Sequence, residues 1–337
     1  VDFVTTVDDS VGAPVVPTRS TGGRPYASLP ELGLGWWPVA HGVDLQDKPV
    51  AVRIAETSLA LYRDASGTAH AVLDRCPHRR MPLSLGRITR DGLIQCGYHG
   101  WSFNGAGQCE VIPNFRPGER PSGRIVVDVY AASERGGLVL VHSKGLVDDP
   151  LPEALSEVRG THAAGLLEVR SPHQSVVAAL ALNPGAALGL GPLLGAGDQI
   201  ARPVVDSDRH HLKVVRQRLT FNLPRLSTFD TAIKRLTRTT IGVRRDTGLT
   251  VATSEFARGL TARIVVGASP IGPYRTSVFW HLNVTGSGGA GVVAAVTLSQ
   301  KARARLGHAA NTFAAVADGA DMTFDPVLEE LKAGTKA

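Results

Sequence analysis

The chain has 337 residues, 43% of them hydrophobic and 20% charged, with a net charge of +6. That length holds two domains of ordinary size, and the composition is that of a folded soluble protein. Its Lys and Arg are spread out, with no basic block and no aromatic-rich basic segment, which argues against nucleic-acid binding. Three cysteines exclude a disulfide framework. No apolar run is long enough for a membrane span and no signal-type start is seen, so the expected location is cytoplasmic, with no membrane partner.

In chain order, residues 1–30 are rich in Thr, Ser, Gly and Pro without periodicity and read as a flexible N-terminal arm. Residues 31–147 read as an all-β unit: PVAVRIAETSLALYRDASGTAHAVLD predicts strand, strand, turn, strand, and GRIVVDVYAASERGGLVLVHS predicts two more. KGLVDDPLPEALSE, with its Asp-Asp-Pro and Pro-Glu turns, reads as a linker. Over 148–337, RHHLKVVRQRLTF, RLTRTTIGVRR, GLTVATSEFAR, TARIVVGASPI and RTSVFWHLNVTG alternate as strands of one antiparallel sheet. The period then changes: LSQKARARLGHAANTFAAVADG and FDPVLEELKAG predict helix. The fold class is therefore α+β.

The chemistry sits in the β unit. Cys76-Pro77-His78 is followed, 17 residues on, by Cys96-Gly97-Tyr98-His99. Zinc accepts two Cys and two His, but its fingers pair Cys with Cys and His with His, whereas each loop here offers one of each. Two thiolates on one iron and two imidazoles on the other is the Rieske arrangement. RCPHRRMPLSLGRI and LIQCGYHGWSFNGAGQC resemble the two cluster loops of the Rieske non-heme iron oxygenases, and the likeness runs from about Trp36 to His142. The resemblance implies a Rieske 2Fe-2S cluster with Cys76 and Cys96 on one iron and His78 and His99 on the other. Cys109 fits no ligand spacing and reads as a small buried thiol. Respiratory-chain Rieske proteins add a loop disulfide, for which only Cys109 is left. Trp101 and Phe103 stand where those proteins carry Ser and Tyr hydroxyls, which implies a low potential within the Rieske range.

Residues 148–337 resemble the family's catalytic domain more weakly. The resemblance implies a helix-grip (START-like) antiparallel sheet with a long C-terminal helix, and in the family this domain holds mononuclear iron by two His and one carboxylate. Its motif, aligned through Asn183-Pro184, puts the family's Asn on Leu180, its Asp on Asn183 and its two His on Ala186 and Gly191. The third ligand falls near Phe324 or Asp325. Ala and Gly have no donor atoms, so mononuclear Fe(II) is expected to be absent. His210 and His211 are adjacent in a strand and point to opposite faces. His173 is expected before the ligand-bearing helix, His281 on a strand and His308 on the last helix, each a surface or hydrogen-bonded residue.

No catalytic residue is therefore assigned. The leading expectation is an electron-transfer or structural subunit, fed by a reductase or ferredoxin and forming a homo- or hetero-trimer with a catalytic oxygenase paralogue. Two alternatives stay open. One is a complete Rieske monooxygenase that hydroxylates or demethylates a small apolar molecule with an unrecognised iron site; the other is a hydrophobic-ligand-binding module.

Overall fold

The computed structural model describes residues 25–116, 118–145, 151–152, 155, 161–182, 184–188, 203–209, 211–217, 236–256 and 261–286. Eleven short strands come first: β1 Trp36–His41, β2 Val50–Ile54, β3 Thr57–Arg63, β4 Ala69–Leu73, β5 Arg87–Ile88, β6 Ile94–Gln95, β7 Ser102–Phe103, β8 Cys109–Val111, β9 Val129–Tyr130, β10 Ala132–Arg135 and β11 Leu138–His142. They form three antiparallel sheets, ordered β1-β11-β10, β2-β3-β4-β9 and β5-β6-β7-β8. After them come β12 Thr161–Val169, the helices α1 His173–Leu182 and α2 Pro184–Ala187, then β13 Val204–Ser207, β14 His211–Gln217, β15 Leu236–Arg244, β16 Thr250–Phe256, β17 Thr261–Gly272 and β18 Arg275–Thr285. These seven strands make one antiparallel sheet in the order β12-β18-β17-β16-β15-β14-β13.

Sheets and apolar cores alternate through the molecule. In β3, Ala60 and Tyr62 face the core beneath the Cys/His loops, and Leu59 and Leu61 face a second core shared with Trp37 and Val39. A strand buried on both faces must be apolar at every step, which is why its sequence runs Leu-Ala-Leu-Tyr without alternation. β11 divides the next pair of cores in the same way: Val139 and Val141 join Trp37, while Leu138 and Leu140 join Trp36, Val265 and Phe279. The seven-stranded sheet is the last divider, with Ile264, Val266, Val278 and Trp280 on its far face against α1. The Cys/His loops and α1 thus lie at opposite ends of the stack. Each fully buried Leu or Val in it contributes about 1.5–3 kcal/mol.

The outer face of the large sheet receives β1. Ser269 Oγ donates to the Pro38 carbonyl at 2.6 Å, the Ala55 amide donates to the Pro270 carbonyl at 2.6 Å, and His41 Nε2 lies 2.9 Å from the Gly165 carbonyl. Gly267 makes the approach of β1 to β17 close, since a Cβ there would meet Pro38 Cγ at 2.4 Å.

Two boundaries differ from the sequence reading. Residues 25–30 are not a free arm: Leu29 is fully buried, its amide donates to the Ser143 carbonyl at 2.6 Å, and the Ala27 amide donates to the Val129 carbonyl at 2.7 Å. The linker is likewise anchored, because Leu151 and Leu155 are buried in the core that also holds Trp36. The two C-terminal helical segments lie outside the described residues.

Candidate metal centre

The two Cys/His loops share one backbone design. In the first, after β4, the Cys76 amide donates to the Met81 carbonyl at 2.8 Å and the Arg80 amide returns to the Cys76 carbonyl at 2.9 Å. In the second, between β6 and β7, the Cys96 amide donates to the Trp101 carbonyl at 2.9 Å and the Gly100 amide returns to the Cys96 carbonyl at 3.1 Å. The residue that closes each knuckle is left-handed, with φ of 62° at Arg80 and 71° at Gly100. Glycine takes this conformation freely; arginine pays about 1–2 kcal/mol for it, a cost that the flanking bonds must cover. Asp74 fastens the first loop by accepting from the Ser84 amide at 2.7 Å and its hydroxyl at 2.6 Å. Gly86 lets the loops meet, because a Cβ there would stand 1.9 Å from the Gln95 carbonyl oxygen.

This scaffold brings all four expected donors together. Cys76 and Cys96 are 1% and 2% exposed and their sulfurs lie side by side. Burial pushes the bare Cys76 thiol up to about 11, against the His78 and Arg79 amides, which hydrogen-bond the sulfur and favour its thiolate. The two imidazoles lie toward the surface, ring centroids 4.5 Å apart. Desolvation first, then the His99 and Arg79 charges, hold the His78 imidazole below its usual value and so in the neutral form that binds metals. His78 Nδ1 is buried without a hydrogen-bond partner, a state that costs free energy unless some other group uses the lone pair. Among the described residues no three donors converge on one point as a mononuclear site demands. Two sulfurs on one side and two imidazoles on the other suit a dinuclear cluster, and the residues fit that group.

Neither aromatic after His99 brings a hydroxyl to the site. Trp101 stacks on His78, and Phe103 is fully buried beneath the loops. The hydroxyl of Ser102 is engaged elsewhere, donating to the Gly100 carbonyl at 3.2 Å and accepting from Gln95 Nε2 at 3.0 Å. Cys109 is 7% exposed and burial pushes its thiol up to about 11, as for an inert core residue.

At the other end, α1 carries Leu180 in a wholly apolar setting: it is fully buried with Val176, Ala179, Ala181, Ala187 and Leu188. α2 begins at Pro184 and includes Ala186. Asn183, His210, His308, Phe324, Asp325 and Gly191 lie outside the described residues. His281, on β18, faces the core on the β1 side, its ring 5.3 Å from that of His41, whereas its neighbours Trp280 and Leu282 face α1. The sheet therefore stands between His281 and the aligned motif. His211 opens β14 with an exposed side chain.

His173 departs from expectation. It is the first residue of α1, not a residue before it, and it packs half-buried against Trp37 with ring centroids 5.2 Å apart. Burial lowers its pKa to about 4 despite ring hydrogen bonding to the Thr247 and Ala268 backbone carbonyls, and its Nε2 has no partner. No pattern in the sequence marks this burial, because the covering residues come from β1, β17 and the Thr247 turn.

The Rieske [2Fe-2S] domain family matches residues 35–131. The chain is 40% identical over 128 residues to 4beta-methylsterol monooxygenase of Methylococcus capsulatus, covering 37% of this chain and 33% of that protein. It is 42% identical over 106 residues to the oxygenase component of dicamba O-demethylase from Stenotrophomonas maltophilia, covering 32% and 30%. The chain spans a third or less of the length of the curated relatives it matches. In fold, it superposes on apo dicamba monooxygenase with a TM-score of 0.65 at 20% identity, over 90% of this chain and 97% of that one. Pseudomonas putida CBB5 NdmA gives 0.65 at 16% identity, over 89% and 88%. The superpositions extend beyond residues 35–131, so the large sheet shares the fold of these two proteins.

Proposed function

Because the chain is a relative of the Rieske non-heme iron oxygenases, we propose that it carries electrons through a 2Fe-2S cluster bound by Cys76, Cys96, His78 and His99, within a domain of residues 31–147. The observation that supports this is the pairing itself: two buried sulfurs side by side, two imidazoles in ring contact, and an unsatisfied Nδ1 on His78. When bound, such a cluster supplies one-electron transfer. The protein's own part is to hold the ligands and keep water from the sulfurs. The exposed edge at His99 leaves the imidazole side open to a partner. A reductase or ferredoxin delivers the electron, and the potential lies low in the Rieske range because no hydroxyl of Trp101 or Phe103 reaches the sulfurs.

In the same reading, the domain of residues 148–337 binds no mononuclear iron and the chain serves a catalytic oxygenase paralogue in a trimer. Support comes from Leu180, a fully buried member of the apolar core at the family's Asn position, and from Ala186, which offers no donor where the family has a histidine. An iron there would have to be desolvated with two of its protein bonds missing.

Iron per chain in anaerobically reconstituted protein tests both parts, with the visible Rieske spectrum as control. Two irons are expected. Three irons, or oxygen consumption coupled to substrate turnover with this chain and a reductase alone, would replace this reading with that of a complete monooxygenase.

A further inference from the structure

Four rings form one unbroken series across the candidate centre. Trp101 lies on His78 with centroids 4.4 Å apart and planes 3° from parallel; His78 meets His99 at 4.5 Å; His99 meets Tyr98 at 3.9 Å. The contacts differ in kind. Tyr98 and His99 are sequence neighbours, and Tyr98 is 63% exposed. Trp101 reaches from the second loop to the first, is partly buried, and packs on the core that holds Cys76, Cys96, Leu83 and Phe103. Its main chain does separate work, since the Trp101 carbonyl accepts the Cys96 amide at 2.9 Å. One residue therefore holds Cys96 through its backbone and His78 through its ring.

We propose that Trp101 is a positioning residue for the cluster: its indole, stacked flat on His78, fixes the plane of that imidazole and joins the two ligand loops. This rests on the ligand assignment above. A single imidazole at a loop tip has two free torsions, and its Nδ1 must point inward for a metal bond to form. No hydrogen bond from His78 Nδ1 sets that plane, so the parallel ring contact does. Stacking restricts χ2 while leaving Nδ1 free. The indole also keeps water from one face of the imidazole. Reduction adds a negative charge to the cluster, and water stabilises that charge, so removing the indole raises the potential.

The test uses the full chain, reconstituted anaerobically with iron and sulfide, in wild-type, Trp101→Leu and Trp101→Phe forms. Leucine keeps the backbone bond and apolar bulk but has no ring face; phenylalanine keeps a smaller one. Three readouts are taken: the EPR spectrum of the reduced cluster, its reduction potential, and the rate of cluster loss to a chelator. Trp101→Leu is expected to lose cluster about tenfold faster, with an altered EPR signal and a raised potential, while circular dichroism stays that of wild type. Trp101→Phe is expected to fall between the two, about threefold faster. A Trp101→Leu protein matching wild type in all three readouts overturns the proposal. If the leucine form does not fold, a Trp101→Phe protein matching wild type overturns it instead. Wild-type protein that takes up no 2Fe-2S cluster overturns this inference together with the ligand assignment; a normal wild-type cluster with unaffected variants overturns this inference alone.

Discussion

The Cys/His loops and the α1–α2 segment stand at the two ends of one stack of sheets, and they carry opposite chemistry on equally specific backbones. At the loops, a repeated knuckle, a left-handed arginine and a glycine that admits Gln95 all serve to bring donors together. At α1–α2, Leu180 and Leu188 lie fully buried in an apolar cluster with Val176, Ala179, Ala181 and Ala187. What distinguishes the two ends is which side chains the packing brings together: two thiols at one, hydrocarbon at the other.

Mutations at the two ends should therefore fail in different ways. Cys96→Ser or His78→Ala is expected to abolish the Rieske spectrum entirely, read by visible absorption and EPR, while the far sheet keeps its circular dichroism. Leu180→Ala should do the reverse, lowering stability by about 2–5 kcal/mol in urea unfolding with the cluster spectrum intact. A metal-linked role for position 180 would be indicated if iron content fell instead.

His173 gives the α1 end an acid weakness of its own. Its folded pKa of about 4 lies below the unfolded 6.5, so the unfolded chain takes up the proton first. The contribution is intact above pH 6.5, declines as pH falls, and is lost in full near pH 4, amounting to about 3 kcal/mol. Unfolding midpoints from pH 7 to 4 should show this slope, and His173→Phe should flatten it. At the junction, Gly267→Ala is expected to cost about 1–3 kcal/mol by forcing Pro38 off β17. A neutral result there would mean that β1 and the large sheet adjust independently.

The strands of the large sheet were legible where alternation is strict, as in β17, with Ala262, Ile264, Val266 and Ala268 on one face and Val265 on the other. β12 was not. Its run through Ala163, Ala164 and Gly165 is weak in strand formers because the Trp280 indole lies across it, so close that a Cβ on Gly165 would stand 2.6 Å from the ring. The docking of Leu29 escaped notice for another reason: its clasp, Ser143, is reached through backbone hydrogen bonds that no side-chain pattern reports. The Cys/His loops were the easiest to read, since motif and backbone turns are local. The Trp101 stack on His78 links two loops distant in sequence, and only their folding together reveals it.

The pairing of β1 with β11, Trp36 opposite His142, sets an order of events during synthesis. Everything from β5 to β8 closes between neighbours in sequence, whereas β1 must wait on the ribosome until residue 142 has emerged. Both ligand loops are complete by then, while the strand that ties them to the rest of the molecule is still unpaired. The chain would thus leave the ribosome with its Cys/His half formed and its N-terminal clasp still open.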